Sequence, residues 1–352
     1  MQKWKKNIRD IEPYVPGEQP QSSNIIKLNT NESPFAPSPQ VKKAIEKYDY
    51  EKLRLYPSFV CKELKGALKD IYNVEEDEIF LGNGSDEVLA LCFMTFFNSG
   101  KKILFPDITY SFYDVWCRLF NIDFERVPLN DDFCIVKEDY YNENGGVVIT
   151  NPNAPTAIYM EVSEIEDIVK NNDDVIVIVD EAYIDFGGKS AVELIHKYDN
   201  VVVVQTYSKS RNLAGIRLGF AMANRELINA LEAVKNSFNS YTVSSLSQVI
   251  AAASARDVEY FEKCVNEIIT AREWTVEELS RLGFETLPSK ANFIFTTNKS
   301  ISAKELFDFL KSKGIYVRYF NKPRIDQYLR ITIGTKEQME ELIKAVKEFL
   351  NK

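Results

Sequence analysis

The chain contains little of the residue types from which many catalytic centres are built. It has a single histidine, His196, and five cysteines, none of them spaced as C-x-x-C. His196 lies in residues 191–198, whose apolar spacing predicts a short helix with the histidine at its surface or its end. A serine-hydrolase triad needs a histidine in the active site and a histidine-based metal site needs histidine ligands, and the predicted position of His196 suits neither role. We therefore expect neither of them, and no bound metal.

The sequence also lacks the features of membrane, secreted and nucleic-acid-binding proteins. No apolar run approaches the length of a membrane span, and the start, Met-Gln-Lys-Trp-Lys-Lys, is not followed by the apolar core of a signal peptide. The net charge of −9 would repel a nucleic-acid backbone. Scattered cysteines fit buried, reduced thiols better than disulfides. We expect a cytoplasmic protein that binds neither membranes nor nucleic acids.

Strand and helix signals alternate over most of the chain. Six prolines within residues 1–40 predict an extended N-terminal arm that lies over another part of the protein. Continuous β-branched runs, such as residues 175–179 and 201–204, are typical of strands covered on both faces in a parallel sheet. A chain of 352 residues is long enough for two domains. We expect an α/β fold, with a large domain at residues 41–243 built on a mostly parallel central sheet flanked by helices, and a smaller α+β domain at residues 244–352.

The local patterns place individual elements. Strands are predicted at residues 78–81, 102–105, 124–127, 146–150, 175–179, 201–204, 220–223, 291–296, 316–320 and 328–333. Helices are predicted at residues 41–48, 62–72, 85–97, 112–120, 162–170, 258–282, 303–313 and 336–350. In open α/β sheets ligands bind beyond the carboxyl ends of the strands, so functional residues are expected directly after the predicted strands.

The most informative segment directly follows the apolar run at residues 201–204. Lys209 can condense with an aldehyde, while Thr206, Ser208 and Arg217 can hold a phosphate beside it. A small molecule that carries both groups is pyridoxal 5′-phosphate (PLP). The segment resembles the T-x-S-K-x(7)-R segment of the fold-type I PLP-dependent aminotransferases. On its own the motif also fits an ordinary loop with a solvated lysine and arginine, so other segments have to decide.

The apolar strand at residues 175–179 ends in a carboxylate, Asp180. A buried carboxylate is costly unless it has a cationic partner, although a strand-end cap is the simpler alternative. The resemblance implies a catalytic role instead, in which Asp180 pairs with the protonated pyridine nitrogen of PLP and keeps the ring an electron sink. It also implies that Tyr183 takes part in catalysis by hydrogen-bonding the ring oxygen O3′, and that Lys209 holds the cofactor and moves the proton.

Three other positions match cofactor contacts of the family. Gly84, Ser85 and Asp86 lie between a predicted strand and a predicted helix, where free N–H groups favour an anion, and the resemblance implies that they surround the PLP phosphate. Tyr110 matches the aromatic residue that stacks on the pyridine ring. Tyr56 matches the tyrosine that reaches the phosphate from the neighbouring subunit, which implies a homodimer.

Residues 150–157 resemble the N-P-N-N-P-T-G turn of the family but depart from it at two positions. The O3′-binding asparagine of the family precedes the Pro-Thr pair, where this chain has Ala154, and the glycine that follows is Ala157. We assign the O3′ contact to Asn153, the nearest amide. An Asn-Pro-Asn sequence also forms a turn without any functional role.

Three segments narrow the resemblance to one group within the family, the histidinol-phosphate aminotransferases. They are residues 11–17, 27–34 and 329–335, and the similarity runs essentially from end to end. The resemblance implies that Tyr14 and Glu32 of the arm help to cover the substrate.

The last of these segments also carries the expected anion site. Arg330, on a predicted strand, matches the arginine that binds the substrate anion through its planar fork, and Arg318 is a second candidate contact.

The implied reaction, a step of histidine biosynthesis, moves the amino group of L-histidinol phosphate to 2-oxoglutarate. The alternatives are threonine-phosphate decarboxylase, which shares the fold, the cofactor and a phosphorylated substrate, and a broader aromatic amino-acid aminotransferase. A protein that binds PLP without catalysis is a further alternative. It would not need Asp180 as a partner for the pyridine nitrogen, so the combination of Lys209, Asp180 and Arg217 favours an enzyme.

Overall fold

The β-branched runs of the sequence form the centre of a seven-stranded sheet in the computed structural model, which describes residues 3–20 and 25–351. Residues 1–2 and 21–24 of the predicted arm and residue 352 lie outside the described residues. The strands are β1 Ile26–Lys27, β2 Ile79–Gly82, β3 Ile103–Pro106, β4 Phe124–Val127, β5 Val147–Thr150, β6 Val177–Asp180, β7 Val201–Thr206, β8 Gly219–Ala223, β9 Glu285–Thr286, β10 Phe293–Thr297, β11 Ile315–Tyr316, β12 Arg318–Tyr319 and β13 Tyr328–Thr332.

Ten α-helices lie within the described ranges, joined in places by short 3-10 turns. They are α1 Pro39–Glu46, α2 Lys62–Tyr72, α3 Ser85–Phe96, α4 Phe112–Phe120, α5 Val162–Lys170, α6 Arg225–Phe238, α7 Ser245–Arg256, α8 Val258–Arg281, α9 Ala303–Ser312 and α10 Lys336–Leu350. His196 ends a short 3-10 helix, Ala191–His196, and is exposed, as predicted.

The large sheet has the strand order β2-β8-β7-β6-β5-β3-β4. Every pairing is parallel except the two made by β8, so β8 alone runs against the other six strands. The carboxyl ends of β2, β3, β5, β6 and β7 therefore meet at one edge. This arrangement confirms the predicted fold class and brings together the loops that carry the candidate residues.

Alternate residues of the central strands pack into two different apolar cores. Val177 and Val179 of β6 belong to one core, whereas Ile178 between them belongs to the core on the other face. All three are fully buried. Because both faces of the sheet are covered by helices, the strands need apolar residues at every position, which explains the continuous runs in the sequence.

A second, smaller sheet of four antiparallel strands, in the order β12-β13-β10-β9, packs with α8, α9 and α10 around a third core. The predicted strand at residues 316–320 is instead two short strands, β11 and β12, on either side of Val317. The arm strand β1 pairs in parallel with β11. The backbone of Leu28 then donates to Tyr316 O at 2.7 Å and accepts from Thr332 N at 3.0 Å, so the arm is attached to the small sheet.

Candidate active site

A cavity of about 480 Å³ opens where the carboxyl edge of the large sheet meets the arm and the small sheet. Most of the predicted site residues line it. They are Tyr14, Glu32, Ser85, Asp86, Tyr110, Asp180, Tyr183, Thr206, Ser208, Lys209, Arg217, Arg318 and Arg330. The three predicted residues that do not line this cavity are Gly84, Asn153 and Tyr56.

Lys209 lies in the loop that follows β7 and is half-buried. Its Nζ donates to the backbone oxygen of Thr30 in the arm at 3.3 Å and lies 5.7 Å from the centre of the Tyr183 ring. Within the described part of the chain Lys209 forms no ion pair, so its amine is held only by a carbonyl and an aromatic face. An amine in this setting is available to a ligand in the cavity.

Asp180 is the last residue of β6 and is 3% exposed. Its Oδ2 accepts from the phenol of Tyr113 at 2.7 Å, and its Oδ1 accepts from the backbone N–H of Ala182 at 3.3 Å. Burial raises the pKa of Asp180 to about 6, although both hydrogen bonds act in the opposite direction. A cation in the cavity next to this carboxylate would therefore be strongly favoured.

The anion-binding end of the cavity is built from the end of β7, the loop before β8 and the start of α3. Arg217 Nη2 lies 3.3 Å from Asp86 Oδ2, and the hydroxyl of Thr206 donates to that of Ser208 at 3.0 Å. Gly84 precedes α3 with a φ of 89°, and a Cβ added there would lie 2.5 Å from Arg217 Nη2. Glycine is thus required at residue 84 by both its backbone angle and the approach of the guanidinium, even though Gly84 does not line the cavity.

Aromatic side chains form one wall of the cavity. The phenol of Tyr110 donates to Asp86 Oδ1 at 2.8 Å, and the ring lies edge-on to Tyr113 at 5.7 Å between centres. Tyr14 of the arm stacks on Phe112 with 4.4 Å between ring centres. Burial raises the pKa of Tyr14, while Arg318 and Arg330 act against this increase, so its phenol faces the arginines of the small sheet.

Asn153 is not placed for the predicted contact with O3′. Its Nδ2 donates to Ile108 O at 2.9 Å and to Thr156 Oγ1 at 3.0 Å, and its Oδ1 accepts from the Thr109 hydroxyl at 2.8 Å. The side chain is 3% exposed and holds the turn together. Because its amide is already fully used, the geometry speaks against the prediction for Asn153, and the cavity surface at this point is formed by Ala154.

Two arginines of the small sheet face the cavity without an acidic partner among the described residues. The guanidinium of Arg330 lies 5.4 Å from the ring centre of Phe293, and its Nη2 donates to Asn29 O at 2.9 Å. Its Nε is buried without a hydrogen bond. Burial lowers the pKa of Arg330, and the nearby Arg318 lowers it further. Such a pair of positive charges is suited to binding an anion.

Glu32 lies at the arm side of the cavity. Its Oε2 lies 2.5 Å from Lys27 Nζ and accepts from the Thr30 hydroxyl at 2.9 Å. Burial raises the pKa of Glu32, but the hydrogen bonds from Lys27 and Thr30 outweigh this, and the pKa lies below its ordinary value. Glu32 is therefore an ionised acceptor whose charge is largely balanced by Lys27.

Tyr56 lies on the outside of its own chain. It is 82% exposed and stacks on Tyr241 with 4.7 Å between ring centres. Further large apolar side chains that are more than 50% exposed lie close in the sequence to Tyr56 or to Tyr241. They are Tyr50, Leu53, Leu55, Phe59 and Phe238. Sequence-adjacent exposed apolar residues of this kind are typical of a protein–protein contact surface.

The sequence did not reveal the individual roles of four residues that line or support the cavity. Tyr113 holds Asp180, and Thr30 and Asn31 of the arm contact Lys209 and Tyr183 respectively. Thr109 holds the turn at Asn153. The position of Tyr113 one helical turn after Tyr110, at the start of α4, is a signal that could have identified it.

Two features are absent from residues 3–20 and 25–351. None of the helices there combines the length and the hydropathy that crossing a membrane requires. In the same part of the chain, no three histidine, cysteine, aspartate or glutamate side chains are grouped so as to hold a metal ion. Four of the five cysteines are buried, and all five are free thiols.

Comparison with known proteins agrees with this geometry. The profile of the family "Aminotransferase class I and II" matches residues 23–346. The histidinol-phosphate aminotransferase of Clostridium botulinum (strain Okra / Type B1) is 50% identical over 349 residues, which cover 99% of this chain and 99% of the relative. The enzyme of the same name from Lactococcus lactis subsp. cremoris is 52% identical over 347 residues, 99% of this chain and 98% of the relative.

A solved structure supports the fold alone, because its sequence identity to this chain is only 22%. The histidinol-phosphate aminotransferase of Sinorhizobium meliloti in complex with pyridoxal-5′-phosphate superposes with a TM-score of 0.84 and covers 92% of this chain and 90% of its own. The family profile and the full-length relatives together identify the protein's group. The chain belongs to the class I and II aminotransferases and, within them, to the histidinol-phosphate aminotransferases.

Proposed function

We propose that this chain transfers the amino group of L-histidinol phosphate to 2-oxoglutarate, which gives imidazole-acetol phosphate and L-glutamate in histidine biosynthesis. The observation that carries the proposal is that Lys209, Asp180 and the unpaired Arg330 all line one cavity. The full-length similarity to curated histidinol-phosphate aminotransferases supports this substrate over the two alternatives within the same fold.

The residues present fit PLP as the cofactor. A buried carboxylate without a cationic side chain bonded to it, Asp180, suits the pyridine nitrogen, and the phenol of Tyr183 lines the same cavity. Arg217, Ser208 and the start of α3 at Ser85 supply donors for the phosphate. When bound, PLP supplies an electron sink for the carbon that exchanges its proton.

We assign the proton transfer to Lys209. Its free amine would take the proton from the substrate carbon that carries the amino group and then give it up again, acting first as a base and then as an acid. The Thr30 carbonyl, 3.3 Å from Nζ, restricts where the amine can move.

The small sheet and the arm would bind the substrate. We propose that Arg330 and Arg318 hold its phosphate, because both guanidinium groups line the cavity without an acidic partner among the described residues. Tyr14 would cover them from the arm. Glu32, which is ionised at neutral pH, would accept a hydrogen bond from an imidazole N–H. An amino donor with two carboxylates has no imidazole N–H and would lack this last contact.

A panel of amino donors tests the reaction. With 2-oxoglutarate as the acceptor, we expect the highest kcat/KM for histidinol phosphate, with phenylalanine and tyrosine far behind. Release of carbon dioxide from threonine phosphate would identify the decarboxylase instead. Higher kcat/KM for aromatic donors than for histidinol phosphate would identify a general aromatic aminotransferase.

A second experiment tests the attachment of the cofactor. Borohydride reduction of the PLP-loaded enzyme, followed by peptide mapping, should place the pyridoxyl mass on Lys209. A label on another lysine, such as the exposed Lys189 or Lys197, would reject the assignment. A protein that binds PLP without catalysis would show a visible absorption band that does not change when histidinol phosphate is added.

We also propose that the active enzyme is a homodimer in which Tyr56 reaches the cofactor phosphate of the neighbouring subunit. Support comes from the exposure of Tyr56 and of the apolar side chains around it. Mixing the Lys209→Ala and Tyr56→Ala variants under conditions of subunit exchange tests this. In the shared arrangement, one site of each mixed dimer has both residues and recovers normal PLP affinity. If demonstrated exchange restores no site, the pocket is built from one chain.

We propose that the chain divides into the arm, a large cofactor-binding domain and a small domain, as the sequence suggested. The packing of α7 adjusts the boundary. Ile250 and Ala251 of α7 belong to the same core as the large sheet, and the helix packs on α1 and α2. The small domain would therefore begin near Asp257 rather than at residue 244. Limited proteolysis that releases a fragment starting near residue 257 would support this position.

A further inference from the structure

Asn31 of the arm connects the small sheet to the wall of the cavity. Its Nδ2 lies 2.9 Å from the phenol oxygen of Tyr183. Its Oδ1 accepts from the hydroxyl of Thr332 at 3.0 Å, and the same hydroxyl accepts from the backbone N–H of Asn31 at 3.0 Å. Asn31 and Thr332 are each 1% exposed. Hydrogen bonds formed away from water in this way hold the amide firmly.

The Asn31 amide faces Tyr183 with its nitrogen. Thr332 donates its single hydroxyl hydrogen to Asn31 Oδ1, and its oxygen accepts from the Asn31 N–H. The amide oxygen is thus held on the side of Thr332, and the amide nitrogen lies on the side of Tyr183. The phenol oxygen of Tyr183 accepts from it, so the phenol hydrogen remains available for a partner in the cavity.

The turn at residues 150–157 does not supply an amide for this contact. Residue 154, where the family carries an asparagine, is an alanine. The amide of Asn153 is already bonded to Thr156 in the turn and to Ile108 and Thr109 in the loop after β3. The side chain that contacts the Tyr183 phenol instead comes from the arm.

We infer that Asn31 is a positioning residue that directs the phenol hydrogen of Tyr183 toward the ring oxygen O3′ of the cofactor. This inference rests on the proposed function, in which PLP is bound through Lys209 beside Tyr183. While the nitrogen that links Lys209 to the cofactor carries a proton, that proton partly neutralises the negative charge on O3′. A hydrogen bond donated to O3′ is therefore stronger once this nitrogen has lost its proton. The bond therefore lowers the pKa of that nitrogen.

Substitution of Asn31 tests the inference through the colour of the loaded enzyme. Asn31 has a φ of 56°, so Asn31→Gly removes the side chain without straining the backbone. In the PLP-loaded enzyme, we expect the pH midpoint of the visible absorption band to rise by roughly 0.5–1 pKa unit, the size of one net hydrogen bond. Asn31→Asp replaces the donor with an acceptor that competes for the phenol hydrogen, so we expect a larger rise.

The same titration in a Tyr183→Phe background separates positioning from a general loosening of the arm. If Asn31 acts through the phenol, Asn31→Gly causes no additional shift there. A shift of equal size in both backgrounds would overturn the inference. Asn292→Ala is the matched control, because it removes the donor to the Asn31 carbonyl at 3.0 Å and leaves the Asn31 amide in place. We expect its midpoint to stay unchanged, and a rise equal to that of Asn31→Gly would also overturn the inference.

The remaining outcomes distinguish this inference from the proposed function. If the unmodified protein develops no visible band with PLP, the proposed function fails. If the band forms but both Asn31 variants titrate like the unmodified enzyme, only the role of Asn31 is wrong. Circular dichroism and gel filtration establish that each variant is folded, and Asn31→Asp, which keeps the side-chain volume, provides the test if Asn31→Gly does not fold.

Discussion

The two ends of the cavity differ in how their charged groups are satisfied. At the carboxyl edge of the large sheet Asp180 and Arg217 already have side-chain partners within the chain, since Asp180 accepts from Tyr113 and Arg217 pairs with Asp86. On the small sheet Arg330 Nε is buried without a hydrogen bond. Among the described residues, the only acceptor that the Arg330 guanidinium contacts is the carbonyl of Asn29.

This difference matches the two kinds of ligand in the proposed reaction. A cofactor that stays in place needs a surface that is fixed before it binds, and the hydrogen bonds at the sheet edge provide it. Substrate and product anions enter and leave the site. An arginine without an acidic partner can bind each of them without first breaking an internal ion pair. We therefore expect substitutions of the small-sheet arginines to weaken substrate binding and to leave cofactor binding intact.

The largest expected effect comes from removing the unpaired charge. Arg330→Ala should lower kcat/KM for histidinol phosphate by roughly 10²–10³-fold, about 3–4 kcal/mol, because the substrate phosphate loses a buried cationic partner. Cofactor affinity, measured by the visible band during PLP titration, should change little. The matched control is Arg281→Ala, an exposed arginine of α8 that pairs with Glu277 and Glu278, and it should leave both quantities nearly unchanged. Equal losses in cofactor affinity and kcat/KM for Arg330→Ala would contradict the separation of the two ends.

A smaller effect should appear when the pH is lowered at the cofactor end. Burial raises the pKa of Asp180 to about 6, so below pH 6 the carboxyl is protonated before the cofactor arrives. In the proposed complex Asp180 and the pyridine nitrogen would share one proton, so the proton on the carboxyl would have to leave. PLP affinity of the cofactor-free protein should therefore be roughly tenfold weaker at pH 5 than at pH 7 and roughly fivefold weaker than at pH 6. Asp180→Asn should bind PLP more weakly at every pH and should lose the decrease in affinity below pH 6. If the decrease survives the substitution, it belongs to another titrating group.

The smallest expected effect comes from removing the hydrogen bond between Tyr113 and Asp180. This hydrogen bond opposes the increase in the pKa of Asp180 caused by burial. Tyr113→Phe should move the midpoint of the PLP-affinity profile upward by roughly 0.5–1 pH unit, the equivalent of one hydrogen bond. At pH 8, where Asp180 is ionised in both proteins, the affinities should differ only a few-fold. An unchanged midpoint would show that the backbone N–H of Ala182 alone sets the pKa of Asp180.

The sequence predicted best the residues that directly follow parallel strands. Asp180 ends β6, Lys209 follows β7, and Ser85 begins the helix after β2. The sheet therefore brings these residues together regardless of the exact conformation of their loops. The helices α4, α5 and α10 also have the predicted bounds, because each has a strong helical spacing of apolar residues. Two helices, α6 and α7, were not predicted.

The sequence predicted poorly what depends on contacts between distant segments. Asn153 is the nearest amide to the altered position in the turn, but it is bonded to Thr156 and to two residues 44 and 45 positions away, Thr109 and Ile108, and proximity in the sequence does not reveal this. Asn31 contacts Tyr183 across 152 residues and Thr332 across 301 residues, and no local pattern encodes either contact. The Tyr56 contact predicted from the family lies outside a single chain and stays a prediction.

The attachment of the arm to the small sheet has a consequence for biosynthesis. During synthesis the strands and loops of the cofactor edge, up to Arg217, leave the ribosome well before β11 and β13, the partners of the arm. Until those last segments emerge, Leu28 and Asn31 lack the groups that hold them, and Thr30 cannot be fixed over Lys209. A nascent chain would thus acquire its lysine and phosphate-binding loops first and the covering of its active site last. The reactive amine is then open to cellular aldehydes for the time needed to synthesise about a third of the protein.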